Sequence, residues 1–593
     1  MPMRWPDRFG TTLATLMVLA SCGGRTTRDD APTHGDDPAA LDASITADAT
    51  PPRDDRDGAG STGEAAHPTS DGAGGSSGEA GRNAGTGGGL NAGSGPGGAT
   101  PIDASSDRPA PDAATRDAAL PDAATPDGSQ CDPNPTPTSC RGDVPRFCDA
   151  THEWRDRAEG ACPADAPSCR SGSCVLLPKV TNLSVGRETT CAVAGGRLKC
   201  WGMNAAGQLG QGDDDNRGDE PGDLLATPPV DLGTGRTAVA SSVGFFQACA
   251  LLDRGGLKCW GASEGDLGTG DHVRRGSSPG TMGDSLPAVD LGIGLSAATV
   301  VAGASRTCAI LNDGRIKCWG VIGSDWDDVH GDIGDDPWEL GDNLRALDLG
   351  PGRTAKSLAL GFDHTCVVLD DGALKCWGKN DSGKLGLGTT ESAVDMPDGN
   401  VGALPSVNLG TGRKARAVAA RGSNFTCALL DDGSVKCWGD SASGELGQGD
   451  DASRGSSPDD MGDNLRPIDL GTGRTAKAID VGVVHACAIL DDDELKCWGN
   501  NYFGQLGIVA GDKPSLGNRP GEMGDALPAV SLGTGRHATA VVTGWMHTCA
   551  LLDDGTVKCW GSNMSGQLGL GATKQVGDKP GDMGDALPIV PVW

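Results

Sequence analysis

Fourteen of the 21 cysteines in this chain recur as seven pairs, at a spacing that could do chemistry. The pairs are Cys191–Cys200, Cys249–Cys259, Cys308–Cys318, Cys366–Cys376, Cys427–Cys437, Cys487–Cys497 and Cys549–Cys559, each followed directly by Trp-Gly. Two thiols so placed could ligate a metal, cycle between redox states or close a structural clasp. Zinc needs four ligands together, and a pair supplies two. A redox site needs C-x-x-C-type spacing and a depressed thiol pKa, whereas eight or nine residues intervene here.

The turn between the sulfurs favours the clasp. In "CAILNDGRIKC" (308–318), a three-residue loop Asn312-Asp313-Gly314 with Gly314 left-handed sets Leu311 opposite Arg315. Counting back then sets Cys308 opposite Cys318. The first copy is one residue shorter, and a two-residue Gly195-Gly196 turn again brings Cys191 opposite Cys200. In the sixth copy Asp493 replaces the glycine, and Asp is among the residues that tolerate that conformation. Opposed residues at a non-hydrogen-bonded site have Cα atoms about 4.5 Å apart, within reach of a disulfide. Each bridge closes a short loop, nominally worth less than about 3 kcal/mol of chain entropy.

These hairpins belong to a larger unit. The first cysteines fall at 191, 249, 308, 366, 427, 487 and 549, a period of 58 to 62 residues. Five positions before each stands a glycine: Gly186, Gly244, Gly303, Gly361, Gly422, Gly482 and Gly544. After each Trp-Gly comes G-x-[LI]-G, as in Gly207-Gln208-Leu209-Gly210. Each repeat reads as four short strands; in the seventh copy these are "ATAVVTG", "HTCALL", "TVKCW" and a last one like the closing "ALPIVPVW". Four strands repeated seven times predict an all-β fold, a seven-bladed β-propeller over 178–593, with the end strands completing one blade to close the ring.

Ahead of the array the composition changes three times. Residues 1–21 carry Arg4, Arg8 and an apolar run from Phe9 to Ala20, too short to span a bilayer and suited to a signal peptide. Leu19-Ala20-Ser21-Cys22 resembles the lipobox of bacterial lipoproteins, which implies a lipid on Cys22, and Gly23 resembles the sorting position of outer-membrane lipoproteins. Residues 22–130, rich in Ala, Asp, Gly, Pro and Ser, read as a disordered tether. Residues 131–177 hold Cys131, Cys140, Cys148, Cys162, Cys169 and Cys174 in a segment with little core of its own. Disulfides suit that module better than zinc, because paired C-x2-C knuckles are lacking; its connectivity stays open. Beyond Cys22 no thiol is left over, as an exported, oxidising location requires. The net charge of −31 argues against a nucleic-acid partner, and the lipid is the expected membrane contact.

The recurring string G-x-x-[HTx]-x-C-A-L-L-D-D-G-x-[VL]-K-C-W-G, followed by G-x-L-G, resembles the regulator of chromosome condensation repeat family over about residues 178–593. The resemblance implies a seven-bladed propeller. It also implies two relatives' activities: guanine-nucleotide exchange on a small GTPase and, in a secreted bacterial relative, inhibition of β-lactamases. The cysteine pairs depart from the pattern, since cytosolic and nuclear relatives generally lack them. Export would also separate the chain from a cytosolic GTPase. We therefore expect a lipid-anchored, monomeric, non-enzymatic scaffold without cofactor that binds a protein or polysaccharide through its loops. The alternatives are inhibition of an exported enzyme, nucleotide exchange, and an unrecognised propeller enzyme.

Other residues are candidates for a site. His364, His485 and His547 stand two residues before the first cysteine in three blades, where Thr189, Gln247, Arg306 and Phe425 stand in the others. That drift suits a structural position. Acidic loops such as "GQGDDDNRGDEPGDLL" lack the spaced oxygen ligands of a calcium loop and read as a solvated rim. In repeat three, Trp319 to Gly331 reads as an insertion, "VIGSDWDDVH", and Trp326, His330 and nearby Trp338 form a candidate binding loop. No nucleophile elbow, HExxH or phosphate loop is present.

Overall fold

The computed structural model describes residues 178–262, 266–321, 332–393, 399–422, 424–509 and 513–593, and the backbone of five short strands between 138 and 175. Cys22, Cys131, Cys162, Trp326 and His330 lie outside the described residues, as do the side chains of Cys140, Cys148, Cys169 and Cys174. Backbone register alone sets Cys169 opposite Cys174, in a hairpin of Ser168–Arg170 and Ser173–Val175. No described helix is long and apolar enough to cross a membrane.

Seven antiparallel sheets make seven blades, each taking its strands in chain order. Blade three is Ala297–Ala302, Arg306–Leu311 and Ile316–Val321 as inner, middle and outer strands. The others occupy 180–202, 238–261, 355–378, 415–439, 476–500 and 538–561. Middle strands such as His547–Leu552 are buried end to end. Neighbouring blades cover both their faces, so they read as unbroken apolar runs instead of alternating ones. The core accordingly lies between blades: Val193 and Leu198 of blade one pack with Val243 and Trp260 of blade two.

The fourth strand is not the Leu-Pro segment that the sequence suggests. It is two residues long in blades three and six, Asp332–Ile333 and Ser515–Leu516. Elsewhere it is a single bridge, as between Gly202 and Arg217 or Gly561 and Val576. The Leu-Pro segment instead gives one hydrogen bond per blade, such as Val590 N–H to the Val557 carbonyl at 2.8 Å. Pro588 and Pro591 carry no N–H, so no ladder can continue there.

Nor do the chain ends share a blade. All three strands of blade one precede blade two, and blade seven packs directly against blade one. Val180 N–H donates to the Gly555 carbonyl at 3.0 Å, and Val180, Leu183 and Trp201 bury against Val542, Leu551 and Val557.

Repeat three also needs correction. Ile333 pairs with Gly320 just as Arg275 pairs with Gly261 and Arg454 with Gly439. Asp332–Ile333 is therefore fourth strand, not part of a G-x-L-G loop, and blade three carries no net insertion there.

Three recurring polar contacts hold the ring. In six blades the Trp that follows the second cysteine donates its indole N–H to the G-x-L-G loop of the preceding blade, as Trp260 does to the Gln208 carbonyl at 3.0 Å. That loop's last glycine must lack a side chain, because a Cβ on Gly210 would lie 2.8 Å from Trp260 Nε1. The Lys before each second cysteine is buried, and in blades two to seven it bonds two carbonyls; Lys436 Nζ reaches Leu409 O at 3.0 Å and Gly462 O at 2.8 Å. At the hairpin end, Thr hydroxyls donate to an Asp of the next repeat, as Thr234 does to Asp284 at 2.6 Å.

Candidate functional site

Every hairpin clasp forms. The register opposes Cys308 to Cys318 and Cys191 to Cys200, and all seven pairs are disulfide-bonded with Cα atoms 4.1 Å apart. Gly314, Gly195, Gly196 and Asp493 take φ of 83°, 56°, 74° and 72°. The sulfur pairs are interior structure, and chemistry at the surface must come from elsewhere. Among the described residues no group of three or more His, Cys, Asp or Glu is arranged to hold a metal.

The seven glycines that precede the clasps ring the propeller axis. A Cβ on Gly186 would lie 2.3 Å from the Gly244 carbonyl, one on Gly244 2.3 Å from Gly303 O, and one on Gly482 2.4 Å from Gly544 O. Blades meet backbone to backbone there, which leaves no room for a side chain. In six blades the glycine N–H donates to the carbonyl three residues on, as Gly544 does to His547 at 2.7 Å. The ring is thus a circle of tight turns.

The residue closing each turn points inward, and this is the column that drifts. His364, His485 and His547 are fully buried. Their Nε2 atoms meet Thr426, Thr548 and Thr190 of the next blade at 2.9, 2.9 and 3.3 Å. Burial depresses His485 and His547 to about 3, helped by the nearby Arg421 cation, so both are neutral imidazoles. These histidines are inter-blade struts. Arg421, 1% exposed, is an addition that sequence reasoning missed: its Nη1 crosses to the Val185 carbonyl of blade one at 2.7 Å. Burial lowers Arg421 to about 10, with Asp480 opposing that shift. Asp480 is itself held by Thr543 N–H and Oγ1 at 2.7 and 2.8 Å.

The two central residues of each axial turn form a mouth at one end of the axis. Its first tier is Arg187, Phe245, Ala304, Phe362, Val483 and Trp545; the blade-five counterpart, residue 423, lies outside the described residues. The Arg187 guanidinium packs against aromatic rings, 4.5 Å from Phe245 and 4.2 Å from Trp545, with Phe246 at 5.9 Å. Phe245 and Phe246 meet edge to face at 4.4 Å. Such aromatic and cation–π contacts fix a side chain's orientation as well as its position.

Just outside the mouth, the second residue of each G-x-L-G loop folds into an inter-blade cleft. Gln208, Gln505 and Gln567 accept through Oε1 from the N–H two residues earlier, at 2.8, 2.9 and 2.9 Å. Glu445 does the same with Ser443 at 2.7 Å, but it is 6% exposed, and burial pushes its carboxyl up to about 7. Lys384 is buried between Asp381 and Asp363, at 2.6 and 3.0 Å. The acidic loops are partly self-paired: Asp213–Arg217, Asp271–Arg275 and Asp450–Arg454 bridge at 2.7, 2.6 and 2.8 Å. Trp338 is 67% exposed on the Pro337–Glu339 turn and does not belong to the mouth cluster. The mouth had one sequence signal. Phe245, Phe246, Phe362 and Phe425, four of the seven phenylalanines, stand within three residues of an axial glycine.

Fold and site define a seven-bladed, disulfide-clasped β-propeller with an aromatic mouth. Five of its blades, three to seven, match the regulator of chromosome condensation (RCC1) repeat, at residues 297–321, 355–384, 415–445, 476–505 and 538–567. The ultraviolet-B receptor UVR8 of Arabidopsis thaliana is 27% identical over 401 residues, 66% of this chain and 79% of that protein. The human E3 ubiquitin-protein ligase HERC2 is 26% identical over 390 residues, 65% of this chain but only 7% of that protein. Among solved structures, human WBSCR16 superposes with a TM-score of 0.48 at 20% identity, over 69% of this chain and 92% of that one. Yeast RCC1 (Prp20) in complex with Kap60 gives 0.45 at 18% identity, over 67% and 84%.

Proposed function

We propose that this chain is a non-enzymatic binding scaffold that docks a protein partner at its axial mouth. The observation that carries the reading is the clustering of Phe245, Phe246, Phe362 and Trp545 around Arg187 at the centre of a rigid ring. Phe245 is buried at the base of the cluster, while Phe246, Phe362 and Trp545 stay partly exposed. Aromatic and Arg side chains gathered at the middle of a face are what dominate protein–protein binding energy. RCC1-type propellers commonly mediate protein interactions, which supports the same reading.

We further propose that the chain is exported, lipid-anchored through Cys22 and monomeric, the tether holding the propeller clear of the membrane. Seven buried disulfides favour an oxidising compartment. The partner would then be an envelope or secreted protein, with an exported enzyme as one form of it. Co-purification from envelope and medium fractions tests the reading, comparing the native chain with a Phe246→Ala/Trp545→Ala double variant of unchanged melting temperature. Partner affinity should fall at least tenfold; a captured partner indifferent to both substitutions would remove the mouth as the docking surface. Palmitate labelling that survives Cys22→Ser would remove the lipid site.

A further inference from the structure

Resting on the mouth as docking surface, we infer that the partner's docking element is a protein loop presenting a carboxylate beside an apolar side chain, with Arg187 receiving the carboxylate. Every other described member of the first tier around that cation is uncharged: Phe245, Ala304, Phe362, Val483 and Trp545. In the second tier, Asp363 lies 3.0 Å from Lys384 Nζ. Glu188 approaches Arg187 Nε only to 3.9 Å, and its other oxygen accepts from Ser565 Oγ at 2.6 Å. Arg187 Nε has no hydrogen-bond acceptor among the described residues.

Arginines at the hairpin end of the ring sit in a different state. Arg236, Arg353, Arg413, Arg474 and Arg536 each pair with an aspartate at the hairpin end of the ring. Arg187 is the cation the mouth leaves poorly compensated, and burial lowers its pKa, with Glu188 only partly opposing.

The geometry favours a carboxylate over other acceptors. Phe245 and Trp545 lie 4.5 and 4.2 Å from the guanidinium carbon with their own centroids 6.3 Å apart, two adjacent rings that restrict the side chain before a ligand arrives. That pre-organisation suits bidentate recognition of a planar carboxylate. The surrounding ring is apolar, which suits a carboxylate carried next to an aliphatic or aromatic residue. A phosphate dianion would meet the same apolar wall without a second cation, and would approach a chain of net charge −31. A loop is the fitting form, because the target is a small cluster of single residues drawn one from each of six blades at the centre of the ring.

Panning a random twelve-residue peptide library on the full chain provides the test. Enriched peptides should carry Asp or Glu next to an apolar residue. Replacing that acid by Asn or Gln should weaken binding to the native protein at least tenfold. On Arg187→Gln the acid and amide peptides should bind alike, and Arg187→Lys, which keeps the charge without the planar guanidinium, should fall between. The peptide substitution needs no protein variant, so the result stands even if Arg187→Gln melts early. Peptides that Trp545→Ala abolishes, yet that are unchanged within twofold by the acid-to-amide swap, would overturn the carboxylate inference and leave mouth docking intact. Peptides indifferent to Trp545→Ala, or no enrichment over a bare support, would overturn both.

Discussion

Trp201 in blade one donates its indole N–H to the carbonyl of Gln567, in the loop after blade seven, at 3.0 Å. Trp560 makes the same bond to Gln505 and Trp498 to Glu445, at 3.1 and 3.0 Å. The ring is therefore closed by its ordinary repeat contact, with no exchanged strand. First and last blades meet as any two neighbours do, so closure is only as strong as one inter-blade interface.

That equivalence predicts a contrast between two glycines of the closing repeat. Gly569 and Gly581 both take positive φ, 68° and 85°, but a Cβ on Gly569 would lie 2.8 Å from Trp201 Nε1 while one on Gly581 meets nothing within 4 Å. Gly581→Ala should cost only left-handed backbone strain, about 1–2 kcal/mol. Gly569→Ala should cost ~1–3 kcal/mol more, because it pushes Trp201 out of its slot. Urea unfolding of the two variants measures the difference; equal costs would mean that the Trp201 contact does not constrain closure.

The clasps should be complete and individually dispensable. Denaturing alkylation without reductant should modify none of the fourteen repeat cysteines, and with reductant all of them, read by peptide mass. Each bridge spans one hairpin whose ladder continues on both sides, as Ala309–Lys317 and Thr307–Trp319 flank Cys308–Cys318. Cys308→Ala/Cys318→Ala should therefore lower stability by less than about 3 kcal/mol and leave the circular dichroism spectrum unchanged. Loss of the whole fold from that one double variant would contradict a purely local clasp.

The clasps were legible in the sequence because a hairpin is local: turn length alone fixes which residues oppose. The fourth strand was not, since it rests on one bridge such as Gly439–Arg454, set by tertiary packing and without a pattern of its own. In repeat three, Gly331 to Gly334 imitated the loop motif for the same reason. The mouth was hidden differently. Arg187, Phe245 and Trp545 come from separate blades and meet only once the ring exists. Arg421 did leave a trace: Arg413 to Gly422 is one residue longer than Arg474 to Gly482 or Arg536 to Gly544. That added residue places a guanidinium on the axis.

Arg421 and Asp480 should be coupled. Their charges face one another in the buried axis, and each moderates the other's desolvation. Arg421→Met alone should destabilise by about 3 kcal/mol at pH 7, because it leaves Asp480 buried without its cation. Arg421→Met/Asp480→Asn should recover most of that loss, since the substituted amide can still accept from Thr543 and no buried charge remains. A double-mutant cycle reads the coupling, and additive losses would show that the two groups do not interact.

Glu445 gives the ring a pH dependence whose sign can be worked out. Its carboxyl stands at about 7 in the fold, raised from 4.5 first by burial and further by Asp440 and Asp451. A group with a raised folded pKa binds more protons folded than unfolded, so stability falls as pH rises between the two values. The penalty is absent below pH 4.5, grows up to about 7 and is constant above, with a size on the order of 3 kcal/mol. Glu445→Gln removes the charge and keeps the bond from Ser443 N–H, as Gln208, Gln505 and Gln567 make theirs in sister blades. The variant should match the native chain at about pH 4.5 and be more stable at about pH 8, compared by urea midpoint. Equal midpoints under the alkaline condition would mean that the Glu445 carboxylate keeps its water and the inter-blade cleft is open.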